Sequence, residues 1–293
     1  MESGFLFAIL TAAFFALTQV LVRRVTYQSV ESFTPLAVSS IVGTPVILVL
    51  LAISGEWQQF VSFTWQQYIL LGAAGLIHLI FARYLFFNGT RIIGANPTAA
   101  ITRTSIVFSV IFGVVILGES VTVLQIVAAL IIMIGAILTT TEISRTTFRI
   151  STRGLFMGLG TALCSAGSAT LIRPVMQETD AVYAATTMMY LTAFIVIVAI
   201  MVTSRRQRGF VLRQSRYSYL MLSVGAVFLV AGHLFRFSAL QHLPVSIVQP
   251  IVATIVIFVL LFSWIANRRI DVFNWRVIAG IVMVMLGVYL IYY

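Results

Sequence analysis

Four side chains sit where an apolar helix should carry none. Arg83, Arg103, His233 and Arg236 lie inside stretches made mostly of Leu, Ile, Val, Phe and Ala. A cation at the depth of a hydrocarbon core costs at least about 2.5 kcal/mol, which makes such a residue a functional candidate by default. Arg83 and Arg103 each lie about eight residues from a tight turn near 91–95, so at about 1.5 Å per residue each reaches about 12 Å into its helix. Both therefore fall at one level on neighbouring helices. Arginine keeps its charge when buried, and its planar fork pairs bidentately with carboxylate or phosphate. Two like charges at one level in low dielectric repel unless an anion lies between them. All eight acids of the chain fall at helix ends or in connections, which leaves a bound solute to supply the anion. The competing role is structural: capping exposed carbonyls or snorkelling along a crevice.

A shift of 150 residues carries Arg83 to His233, with Arg236 three residues on and on the same helical face. His233 can equally be a neutral imidazole bonded between helices. Gln19, Asn88, Gln249, Ser165 and Ser168 are softer candidates, because buried polar side chains fasten helices to one another as readily as they contact a solute. His78 lies about 140° from Arg83 at α-helical pitch, which assigns it to packing. His242 falls in a connection. Leu76, Leu79, Ile80, Phe86 and Phe87 form a stripe around Arg83, and Asn96, Ala99 and Ala100 leave room around Arg103. That mixture suits an anion with an apolar body. Pro250 permits a bend in its helix, and the Gly154/Gly158 spacing permits close helix approach.

The chemistry that is missing narrows the class. No H-E-x-x-H run, phosphate-binding Gly-Lys loop or buried acid pair is present, which argues against an enzyme. The lone Cys164 excludes a disulfide framework and a thiolate metal cluster. No cofactor and no metal are expected. No buried carboxylate offers itself for a coupling proton, so exchange or facilitated diffusion fits, and proton coupling would have to use His233, His78 or the solute.

Positioning these residues takes a membrane. Of the 293 residues 60% are hydrophobic and 9% charged, with mean hydropathy +1.07; a soluble domain carries roughly a quarter charged residues. A bilayer core of about 30 Å needs about 20 apolar helical residues. Turn residues and arginines divide the chain into ten such spans, near 3–23, 33–54, 65–91, 96–117, 122–141, 153–173, 181–203, 217–240, 246–266 and 275–292. The sequence contains no lysine, so its 18 cations are all arginine and give a formal charge of +10. Fourteen of them (Arg23, Arg24, Arg91, Arg145, Arg149, Arg153, Arg205, Arg206, Arg208, Arg213, Arg216, Arg268, Arg269 and Arg276) gather on the side opposite the termini. Arg173 alone marks the terminal side. The excess is thus an orientation signal and not a nucleic-acid surface. It places the Arg-rich loops in the cytoplasm and both termini outside a cytoplasmic (inner) membrane. Trp57, Trp65, Trp264, Trp275, Tyr292 and Tyr293 fall near span ends, as interfacial aromatics should.

The same shift of 150 aligns Gly4, Thr11, Ala12, Ala16, Leu21 and Arg23 with Gly154, Thr161, Ala162, Ala166, Leu171 and Arg173. A shift of 152 brings Gly135 and Leu138 onto Gly287 and Leu290. Two five-span units follow, 1–146 and 151–293, and an odd span number inserts the second upside down, an arrangement used by secondary transporters with a midplane site. Five plus five spans, Gly118-Glu119 closing the fourth, Ala128–Gly135 in the fifth, Pro250 in the ninth and Gly280 to Gly287 in the tenth resemble the EamA-type members of the drug/metabolite transporter superfamily. The likeness covers nearly the whole chain. It departs at Ala16-Leu17-Thr18-Gln19 in the first span, where Trp-Gly-x-Asn is common, at Arg103-Thr104-Ser105, where proline is frequent, and at Ala266-Asn267-Arg268, where Gly-Glu is usual. The resemblance implies an all-α polytopic membrane transporter with alternating access.

The residues add a solute class: a small organic anion or amphiphilic zwitterion, such as an amino acid or related metabolite. Arg83 and Arg103 hold the anionic group, His233 and Arg236 complete the cavity, and Gln19, Asn88 and Gln249 stand near it. Membrane lipids surround a monomer or homodimer. A flippase for an anionic lipid headgroup is the alternative, and a non-transporting scaffold or sensor is another.

Overall fold

The computed structural model describes residues 2–26, 31–141, 151–266 and 275–292. Every regular element among them is a helix. The first unit contains α1 (Glu2–Thr26), α2 (Phe33–Ser54) and a short α3 (Trp57–Ser62). A continuous rod follows, made of α4 (Trp65–Gly75), a π-helical segment (Leu76–Ala82) and α5 (Arg83–Ile93). After it come α6 (Ala95–Thr102), α7 (Ser105–Leu117) and α8 (Val123–Thr141). The second unit runs through α9 (Thr152–Glu178), α10 (Val182–Thr203), a short α11 (Arg205–Leu212), α12 (Arg216–His242), α13 (Val245–Val252), α14 (Ile255–Ala266) and α15 (Trp275–Tyr292).

Among the described residues nine stretches are long and apolar enough to cross a membrane, and a tenth, Val123–Thr139, is shorter. They coincide with the ten expected spans to within a few residues. The short helices α3 and α11 were not anticipated; they occupy corresponding connections of the two units. Arg145, Arg149, Arg268, Arg269, Asn267 and Tyr293 lie outside the described residues, as does the side chain of Asn96.

The 150-residue repeat is written into the backbone. The fourth span breaks at Arg103-Thr104 and the ninth at Ala253-Thr254, each in a single tight turn. Arg103 N donates to Ala100 O, Thr104 N to Ile101 O, Ile106 N to Arg103 O and Val107 N to Thr104 O. Ala253, Thr254, Val256 and Ile257 repeat the same four bonds to Pro250, Ile251, Ala253 and Thr254. The break in the ninth span thus falls three residues beyond Pro250. Side-chain size enforces the same symmetry. A Cβ on Gly4 would fall 2.7 Å from Leu243 Cγ, and one on Gly154 would fall 2.3 Å from Ile93 Cγ2, the counterpart contact.

Small residues let the helices approach. α1 buries Ala8, Ala12 and Ala16 at four-residue spacing, and α9 buries Ala162, Ala166 and Ala169, which fits the way membrane helices pack without a hydrophobic drive between them. α1 lies along α12, α13 and α14, while α9 lies along the α4–α5 rod, α6 and α7. α8 and α15 pair with each other, and there a Cβ on Gly135 would meet Gly280 O at 2.7 Å and one on Gly287 would meet Ala128 O at 2.9 Å.

Candidate functional site

α12 supplies the innermost pair. His233 and Arg236 are 0% and 1% exposed. Arg236 Nη2 donates to Ser165 O at 3.1 Å and to Ser168 Oγ at 3.3 Å, and Nη1 lies 3.4 Å from both ring nitrogens of His78. Ser168 Oγ is 3.2 Å from His78 Nδ1, and Gln249 Nε2 donates to Ser165 Oγ at 3.3 Å. The rings of His78 and His233 meet edge to face with centroids 5.2 Å apart. Phe15 of α1 and Tyr190 of α10 flank His233 at 5.0 and 5.7 Å. Arg83 donates through Nη1 to Ser39 Oγ of α2 at 2.9 Å. It is close enough to Tyr190, His78 and His233 to act on them electrostatically. Both units thus contribute to one cluster containing two guanidinium groups.

Several of its polar atoms have no protein partner. Both ring nitrogens of His233, Nε of Arg236, the Tyr190 hydroxyl and Thr186 Oγ1 are buried without a hydrogen bond. Each buried orphan costs about 1–3 kcal/mol, and native interiors leave few of them. All five lie on α10 and α12, helices that contact each other.

The remaining candidates fall differently. Arg103 sits at the α6–α7 break and is half-buried, with Nε unpartnered. Equal depth along two helices does not fix the direction in which their side chains leave them. Gln19 is exposed on α1, where its neighbour Thr18 bonds Gly225 O at 3.1 Å. Asn88 Nδ2 donates to Tyr84 O of its own helix at 2.8 Å. Leu79 and Phe87 are buried in the apolar core, so part of the stripe around Arg83 packs helices.

His78 corrects the helical-wheel expectation that assigned it to packing. The π-helical segment uses i→i+5 bonds and turns less per residue than an α-helix. Residues 78 and 83 are five apart, so their separation narrows from about 140° to about 50°. Tyr190 and Ser39 were not singled out by sequence reasoning at all. The available signal was a hydroxyl in the middle of an apolar span, weaker than a charge but of the same kind. Among the described residues no group of three His, Cys, Asp or Glu converges as metal ligands.

Two consecutive stretches of the chain, 2–141 and 152–293, match the model of a family described as the EamA-like transporter family. A protein named "Uncharacterized transporter in cobO 3′ region", from Sinorhizobium sp., is 30% identical over 138 residues, which are 47% of this chain and 96% of that protein. Its length therefore corresponds to one of the two units. A solved structure described only as the crystal structure of a protein superposes with a TM-score of 0.78 at 13% identity, over 98% of this chain and 95% of that one. At that identity the likeness is one of fold.

Proposed function

From the premise that the chain belongs to the EamA-like transporter family, and so is a multi-pass membrane transporter, we propose that its cargo is a small organic anion or amphiphilic zwitterion, moved by alternating access. The observation that carries this reading is the central cluster. Arg83 and Arg236 bring two positive charges, and no described carboxylate is hydrogen-bonded to either. An anionic group between them would satisfy the electrostatics and give the orphaned donors of Arg236 and Tyr190 an acceptor. His233 and Gln249 offer polar contacts beside it, while Phe15 supports an apolar body. Arg103, half-buried at a helix break, suits an approach contact rather than a second clamp.

The two units, 1–146 and 151–293, would rock against each other around this fixed cluster. The breaks at Arg103-Thr104 and Ala253-Thr254 lie at corresponding places in the two units, which supports paired movement. The protein would sit in the cytoplasmic membrane with its Arg-rich loops inside and both termini outside.

The test uses purified protein. A thermal-shift screen against amino acids, organic acids and phosphorylated metabolites should find a ligand that raises the melting temperature by mass action. That ligand is then followed into proteoliposomes carrying the parent protein, Arg83→Ala or Arg236→Ala. Uptake should fall at least about tenfold at subsaturating solute in either variant, the loss of one charge-assisted pairing. Unchanged uptake in both removes these arginines from the site.

A further inference from the structure

Glu119 follows α7 directly and makes contacts that the central cluster does not explain. Gly118, at φ +66°, ends α7 in the left-handed region, and Glu119 N donates back to Gly113 O at 2.9 Å. This sharp stop sends the carboxylate into the second unit. Oε1 accepts from Val245 N at 2.7 Å, and Oε2 accepts from Ser246 N at 3.0 Å and from Ser246 Oγ at 2.6 Å. These are the first residues of α13, the half-helix that carries Gln249. A carboxylate there meets unpaired N–H groups and the positive end of the helix dipole. Such charge-assisted bonds are roughly twice as strong as neutral ones.

Arg173 of α9 secures the neighbouring helix end. Its Nη1 donates to Leu240 O in the last turn of α12. The short α12–α13 connection is thereby held at both ends, on the side of the protein that carries the two termini. Among the described residues the Arg-rich side carries a different contact, Arg91 Nη1 donating to Glu31 Oε2 at 2.6 Å. The 150-residue shift sends Glu119 to Arg269, Arg173 to Arg23 and the start of α13 to the start of α6. Arginine at position 269 has no acceptor to offer backbone N–H groups.

We propose that Glu119 and Arg173 form a latch that holds the terminal side shut, and that Glu119 is the positioning residue for Gln249. Opening that side breaks the bonds from Val245 and Ser246 to Glu119, so these bonds favour the state in which the terminal side is closed. This inference rests on the alternating-access reading above, but not on the identity of the solute.

The test is sided thiol labelling in proteoliposomes, with Ser165→Cys as the reporter in a Cys164→Ala background and a membrane-impermeant maleimide as the probe. The parent should label slowly from the terminal side. Glu119→Ala should raise that rate about tenfold or more, the factor carried by a single hydrogen bond to a charged group. Ser246→Ala removes one bond without touching the charge and should raise it less. In both variants labelling from the Arg-rich side should fall. A merely structural role would raise labelling from both sides together, and that result overturns the latch. So does terminal-side labelling that stays at the parent rate in Ser246→Ala and in folded Glu119→Gln, which also covers the case in which Glu119→Ala does not fold. No solute enters the assay, so a ligand screen without hits bears on the transport reading and leaves the latch to this result alone.

Discussion

The two central arginines share a cluster but differ in how much protein holds them. Arg83 is half-buried, with Ser39 as its hydrogen-bond partner. Arg236 is fully enclosed and fixes the Ser165 carbonyl, Ser168 and the edge of His78. Their variants should therefore separate binding from folding. Arg83→Lys keeps the charge but loses the fork that fits a carboxylate. It should raise the KM of an anionic solute about tenfold with the melting temperature within a few degrees of the parent, as read by uptake kinetics and thermal unfolding. Arg236→Ala should instead cost about 2 kcal/mol or more of stability, from an emptied buried site and an unpaired carbonyl. Arg236→Met restores volume without charge, and replacing a buried charge with a packed apolar side chain is often neutral for stability. It should recover most of the melting temperature and none of the uptake. If Arg236→Met transports normally, the guanidinium belongs to the scaffold and not to the site.

The helices show why some of this was legible beforehand and some was not. A span is a signal summed over some twenty residues, so ten of them could be placed to within a few residues. The repeat was legible for the same reason, and the matched glycines at 4 and 154 turn out to be matched contacts with Leu243 and Ile93. The π-helical segment left no such trace. The placing of His78 depends on that segment. Ser39 and Tyr190 were hidden because their role depends on which helices cross, which no period encodes. The α8–α15 crossing gives a direct check on packing. A Cβ on Gly280 would lie 2.3 Å from Thr139 Oγ1 and 2.7 Å from Gly135 O. Gly280→Val should cost about 1–3 kcal/mol through overpacking, whereas Gly209→Ala in α11, with nothing within 4 Å, should be neutral or slightly stabilising. A second check lies at the start of α10, where Glu56 Oε2 accepts from Ala184 N at 3.0 Å. Burial raises the Glu56 carboxyl above its ordinary value of 4.5, and the backbone bonds from Ala184 and Tyr183 oppose this only in part. A carboxyl raised in the folded state favours its neutral form there. Its contribution is full below the ordinary value and is lost as pH rises through the folded one. Melting temperature should fall more across that interval in the parent than in Glu56→Gln. Equal pH profiles would show that Glu56 titrates as an ordinary surface acid.

Across the whole molecule, two near-equivalent units carry unequal charge. The backbone repeats at 150 residues down to single hydrogen bonds, yet the order of spans along the sequence assigns 14 of the 18 arginines to one side, one to the other and three to span interiors. Symmetric packing lets the same unit insert either way up, so orientation has to come from the connections. Of the arginines on the richer side, Arg205, Arg206, Arg208, Arg213 and Arg216 lie within or beside α11, a short helix between two spans. The short segment from 204 to 216 therefore carries much of the bias. The positive-inside rule counts residues of this kind, close to span ends and in short loops. Alkaline phosphatase fused after residue 293 should be active and green fluorescent protein there should be dark, with the opposite pattern for fusions truncated at α11. Replacing those five arginines with glutamine should yield a mixed population in which some molecules show a fluorescent C-terminus. A bright C-terminal fusion in the parent would reverse the assigned sidedness, and the Glu119 side would then face the cytoplasm. A mutant that keeps a uniformly dark C-terminus would show that the remaining arginines at the first, third, fifth and ninth connections suffice to orient the bundle.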